Sequence, residues 1–209
     1  MDGLVSNVGL IAGIAAAGAA PSVIMLTGIS GLLAGGISMG LGEYASVRTQ
    51  NEQYDSEVHT ERAALKRNPE GEQAELAEMF VSLGMQSATA TEAASQVHED
   101  HEQALRVHLA HELGLTADTR PSPVIVAISS LLAFSIGALV PLLPFFFGAS
   151  SLWLVFAFGG AGLLIAGSFA AIFSGKNPFF GAIRQLTFGT IAVIVTFTVG
   201  SLLGVSEYS

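Results

Sequence analysis

An all-α, polytopic membrane protein with five transmembrane helices and a cytosolic three-helix acidic insertion is expected from three features of the chain. It is 209 residues long, 51% hydrophobic, with a mean hydropathy of +0.59, more apolar than a water-soluble domain of this size. The apolar residues are segregated: residues 3–42 and 121–206 together carry two charges, Lys176 and Arg184. The stretch between them, residues 48–120, carries fourteen Asp and Glu, six Lys and Arg, and all five His. Three segments follow: 1–47 with the first two membrane helices, 48–120 as a soluble helical domain, and 121–209 with the last three.

The first apolar segment runs from about Leu4 to Ala20, short for a span of roughly 20 residues. Pro21 and Ser22 mark a turn. The second segment starts at Val23, stays apolar to about Ala45, and continues as a polar helix to Arg67. Segments three, four and five are Val124–Phe147, Leu152–Phe173 and Phe179–Val205; Pro141 and Pro144 should bend the far end of the third. Glycine pairs four apart, Gly9/Gly13, Gly31/Gly35 and Gly36/Gly40, let helix backbones approach closely. They serve either packing within one subunit or a subunit interface.

The insertion divides into three helical stretches. The first, Ser46–Arg67, extends the second membrane segment. Asn68 and Pro69 start the next as cap and first helical residue, with Glu70 and Glu72 in its first turn and Gly84 suited to its end. The third covers Thr91–Leu113, with Asp100 as a candidate cap for a new start inside it.

All eight Lys and Arg lie at 48–120, 176 and 184. The positive-inside rule then places the N-terminus and the insertion in the cytosol and the C-terminus outside, with the plasma membrane as default location. The insertion's formal charge is −8, which argues against nucleic acid as a partner and for cations. There is no Cys, hence no disulfide framework and no thiolate metal site. No phosphate-binding loop, nucleophile elbow or HExxH motif is present, so the chain is not expected to be an enzyme, and if it transports it must use a gradient or run downhill.

Acidic residues recur at helical spacing: Glu57 and Glu61; Glu72, Glu75 and Glu78; and Glu112 beside His111 and four after His108. Such faces can converge on a divalent cation; carboxylate with imidazole suits Fe²⁺, Mn²⁺ or Zn²⁺. The bland reading is a solvated acidic surface, and His59, His98 and His101 are read as ordinary surface residues. Within the membrane segments, Met39 and Glu43 stand four apart on one helix face at the depth where lipid gives way to water. They form a soft-plus-hard ligand pair, or a packed sulfur and a hydrated carboxylate. Asp2 begins the first segment, and Arg184 is read as an anchor at the cytosolic face.

These residues fall in stretches by which the chain resembles the vacuolar iron transporter family in its prokaryotic form: DGLVSNVGLIAG at 2–13, GGISMGLGEYASVRTQ at 35–50, NPEGEQAELAEMF at 68–80, HELGL at 111–115 and GAIRQLTFG at 181–189. The likeness covers essentially the whole chain. It implies five spans, a homodimer, and Fe²⁺ transport out of the cytosol, often with Mn²⁺ accepted, in exchange for protons. The metal is substrate and bound ion, with no prosthetic group. It implies that Asp2 and Met39 belong to the translocation path and that Glu61, Glu72, Glu75 and Glu112 form a metal site in the insertion. Two departures stand out. Ala64 occupies the place of a second glutamate on the first soluble helix, and His108 and Leu109 stand where a methionine and an acid are usual; His108 is the candidate substitute ligand. The competing expectation is a membrane-anchored divalent-metal buffer or sensor without transport.

Overall fold

A computed structural model describes residues 1–113, 120–149 and 151–206, except the side chains of residues 112, 113, 205 and 206. Its regular elements, among the described residues, are all helical: α1 Asp2–Ala16, α2 Pro21–Arg67, α3 Pro69–Ser82, α4 Ser87–His98, α5 His101–Leu113, α6 Pro123–Leu139, α7 Leu143–Phe146, α8 Leu152–Phe173 and α9 Pro178–Ser206. The chain forms two compact units, one of residues Met1–Tyr44 with Val124–Ser209 and the other Ala45–Pro123, so the division falls inside α2.

Among the described residues four helical stretches are long and apolar enough to cross a membrane: α2, Pro123–Phe146, α8 and α9. The apolar helix α1 has 15 residues, which at ~1.5 Å per residue is shorter than a ~30 Å hydrocarbon core. Phe147, Trp153 and Phe173 are each more than four-fifths exposed. In water so broad an apolar surface would drive aggregation, whereas lipid solvates it.

Packing in the first unit centres on α1. Leu4, Val8, Ile11 and Ala12 are all nearly inaccessible, and α1 lies against both α8 and α9. Because lipid is as apolar as these side chains, close fit rather than burial from water must hold the helices together. Glycines provide it. A Cβ at Gly159 of α8 would meet Val8 at 2.6 Å, and one at Gly162 would meet Leu4 at 2.6 Å. Gly9 and Gly13 face Thr196 of α9, Gly31 faces Leu10 and Asn7, and Gly35, Gly36 and Gly40 face α6. The glycine pairs therefore serve packing within this chain.

The bend expected from two prolines is present: α6 ends at Leu139, a 3₁₀ turn covers Val140–Leu142, and α7 follows. Pro141 has no N–H to offer the carbonyls three and four residues back. Asn7 supplies a donor there, its Nδ2 lying 2.6 Å from the Ala138 carbonyl oxygen.

In the second unit Asn68 starts α3 as expected, its Oδ1 accepting from Gly71 N at 3.2 Å, and α3 ends before Gly84, whose φ of +97° needs no Cβ. The third helical region expected over Thr91–Leu113 is broken at Asp100, its candidate cap, into α4, which starts earlier at Ser87, and α5, so that among the described residues this unit has four helical segments with the polar half of α2, not three. The reason is local: Asp100 Oδ1 accepts from Glu102 N at 2.9 Å and Gln103 N at 3.3 Å, which closes a new N-terminus. Residues 120–121 are tied back to α2. Arg120 pairs with Asp55 at 2.6 Å and stacks over Tyr54, and Asn51 donates to the Pro121 carbonyl.

The Asn68 cap gives the first prediction. Asn68→Ala removes one hydrogen bond to an end amide and costs about 1 kcal/mol. The amides of the first turn of α3 should then exchange about fivefold faster in hydrogen–deuterium exchange mass spectrometry. An unchanged rate would mean that the cap is not formed.

Candidate metal centre

Three donor residues from three helices of the second unit converge. Glu61 of α2, Glu72 of α3 and His108 of α5 each place a ligand atom within 4.8 Å of the other two. Their positions follow from the apolar residues beside them. Val58 and Leu65 share a helical face with Glu61 and pack on Ala104, Leu105 and Leu109 of α5. His108 rides on that same α5 face, so burying the apolar residues carries the imidazole in with them, to 0% exposure. Leu76, one turn after Glu72, is 1% exposed and anchors α3. Glu72 lies in the first turn of α3, where the amide dipoles favour a carboxylate by roughly 0.3–1 kcal/mol.

Glu61 is 8% exposed, a placement that Asp and Glu rarely take without a positive partner. Its Oε1 lies 3.2 Å from His108 Nδ1. That distance would suit a hydrogen bond, but the alignment does not, and His108 Nδ1 makes none. It also matches two ligands of one ion: bonds of about 2.1 Å set at 90–109° hold donor atoms roughly 3.0–3.5 Å apart. Two carboxylates and an imidazole suit a borderline first-row cation such as Fe²⁺, Mn²⁺ or Zn²⁺ better than Ca²⁺ or Mg²⁺. The adjacent guanidinium of Arg62 forks onto Glu102 at 3.0 and 3.1 Å.

His98, read from sequence as a surface residue, is half-buried. Its Nε2 lies 3.3 Å from His108 Nε2, with the two rings edge to face. Burial, then the neighbouring His108 and His101, holds the His98 pKa below the ordinary histidine value, which favours a neutral ring at pH 7. His59, His101 and His111 are exposed.

The remaining expected site residues fall as follows. Glu75 is exposed and Glu57 half-buried, and neither belongs to the converging group. The side chain of Glu112 lies outside the described residues. In the first unit Asp2 is exposed at the start of α1 and accepts from Ser6 Oγ at 3.0 Å. Met39 and Glu43 are half-buried on α2, and Arg184 is exposed on α9. Sequence reasoning passed over Asn7, which is 2% exposed. The signal was available: it is a lone carboxamide within an apolar helix, a placement that marks a structural or functional hydrogen bond.

Comparison with known proteins places these residues in context. A model of the VIT family matches residues 1–201. A vacuolar iron transporter of Acanthamoeba castellanii is 32% identical over 192 residues, covering 89% of this chain and 73% of that protein. Vacuolar iron transporter 1 of Eucalyptus grandis is 30% identical over 199 residues, covering 94% and 80%. Vacuolar iron transporter homolog 1 of Arabidopsis thaliana is 31% identical over 206 residues, covering 97% and 78%. With the family match spanning nearly its whole length and its helices apolar enough to cross a membrane, this chain belongs to the VIT family.

Proposed function

We propose that this protein is a multi-pass membrane transporter that exports Fe²⁺ from the cytosol in exchange for protons, with Mn²⁺ as a second substrate. The observation that carries the reading is the Glu61–Glu72–His108 group, with Glu61 and His108 buried and Glu72 half-buried, a donor set suited to those ions in an insertion of formal charge −8. The names of the relatives, vacuolar iron transporters, support iron as cargo.

In this reading the chain spans the membrane five times, with α1 as the shortest crossing, and acts as a homodimer. The N-terminus and the insertion face the cytosol and the C-terminus lies outside. The insertion collects the cation at the three converging donors, with Glu57, Glu75 and Glu112 as further candidate ligands. Asp2, Met39 and Glu43 belong to the translocation path. A carboxylate on that path serves both ion and proton, because the two compete for the same oxygens.

Proteoliposomes holding the purified protein test this. Fe²⁺ flux should rise with an opposing proton gradient and be accompanied by proton movement. The double change Asp2→Ala with Met39→Ala should cut the flux at least tenfold while leaving Fe²⁺ binding by the insertion intact. Fe²⁺ flux without proton movement would refute antiport. Fe²⁺ binding with no flux in the wild type would instead establish a membrane-anchored buffer.

A further inference from the structure

We infer that His98 is a positioning residue for the metal centre: it accepts the His108 Nε2–H and so holds His108 in the tautomer whose Nδ1 is bare beside Glu61. This rests on reading the Glu61–Glu72–His108 group as a metal site and adds to it a residue outside the donor set.

The geometry sets the proton's place. The two Nε2 atoms lie 3.3 Å apart, and two bare lone pairs would repel at that distance, so one nitrogen carries the hydrogen. If His98 donated, neutral His108 would carry its own hydrogen on Nδ1. That atom is fully buried and makes no hydrogen bond, the Glu61 oxygen at 3.2 Å being out of line. A buried N–H without an acceptor is strongly disfavoured. With His108 as the donor, Nε2–H reaches His98 and no hydrogen is stranded on Nδ1, whose lone pair is left for a cation shared with the carboxylates, as a metal ligand requires. Histidine ligands are commonly oriented this way, through the ring nitrogen that does not bind the ion. The fold supplies the contact cheaply. His98 is the last residue of α4, and the turn at Glu99–Asp100 folds α5 back so that His108 meets it ten residues later.

The test uses the full-length protein in detergent with Co²⁺ as probe, because its absorption spectrum reports ligand identity. Loss of a second-layer partner typically weakens a metal site about 10–100-fold. His98→Phe should therefore raise the Co²⁺ Kd about tenfold or more and alter the spectrum, and His98→Gln, which keeps an acceptor, should recover most of the affinity. Histidine ¹⁵N spectra of the metal-free wild type, with His108→Gln identifying the signal, should show His108 protonated on Nε2 and bare on Nδ1. A His108 found protonated on Nδ1 overturns the inference, as does His98→Phe that folds normally and binds Co²⁺ with unchanged affinity and spectrum. Should the wild type show the expected tautomer yet bind no Co²⁺, the metal reading fails while the His98–His108 pairing stands. Because the tautomer is read on the unaltered protein, a variant that does not fold still leaves the pairing decided.

Discussion

Glu61→Gln is expected to weaken Mn²⁺ or Fe²⁺ binding by the full-length protein at least a hundredfold while leaving the metal-free protein no less stable. The substitution keeps the volume and removes the charge. Losing one anionic ligand in a dry setting removes about 3 kcal/mol of binding, which is roughly two decades in affinity. Stability should move the other way or not at all, because a buried carboxylate is expensive to desolvate and an amide is less so. These opposite signs separate a ligand from a structural residue. A glutamate that merely bonded to His108 would lose stability on substitution and leave metal binding unchanged. Isothermal titration with Mn²⁺, paired with hydrogen exchange of α2 and α5 in the metal-free state, reads both. Glu75→Gln, at an exposed position outside the converging group, should have a smaller effect on the same titration.

Gly200→Val should abolish the folded membrane unit. A Cβ at Gly200 would overlap the Gly13 carbonyl oxygen, where α1 and α9 touch backbone to backbone. Neither carbonyl nor helix axis can turn aside as a side chain would, so the helices must separate along their contact. Overpacking of this kind costs about 3 kcal/mol or more, and in lipid no gain in water exclusion offsets the lost contacts. The expected result is loss of the monodisperse species after detergent extraction and a collapse of its thermal transition. Gly42→Ala is the control. A Cβ there meets nothing within 4 Å, and alanine raises helix propensity by up to about 1 kcal/mol, so the variant should be as stable as the parent or more so. Equal tolerance of both changes would show that the α1–α9 contact does not hold the unit together.

Much of the fold was legible because it depends on local chemistry. The apolar runs mark α2, α6, α8 and α9 wherever they pack. Pro141 interrupts its helix because an N–H is missing, and Asn68-Pro69 starts α3 because an Asn oxygen reaches an end amide. The candidate site was partly legible. Helical spacing singled out Glu61, Glu72 and His108, and the family resemblance added a ligand role for each, but no spacing could show that these residues meet. They lie on separate helices, and whether an acidic face is solvated or turned inward depends on which apolar neighbours pack. His98 was misread for the same reason: nothing around it in the chain separates it from His59, which is exposed.

By itself, then, the amino-acid order determined where helices form, which of them are apolar enough for lipid, and which segment holds the charge, because hydropathy, capping and proline act over a few residues. Only the tertiary structure decided which donor atoms share a point, that His98 backs His108, that Asn7 serves the Ala138 carbonyl, and that the glycine pairs pack within one chain. Those outcomes depend on contacts between residues far apart in the chain, where a shift of one helical position would turn a buried donor out into water.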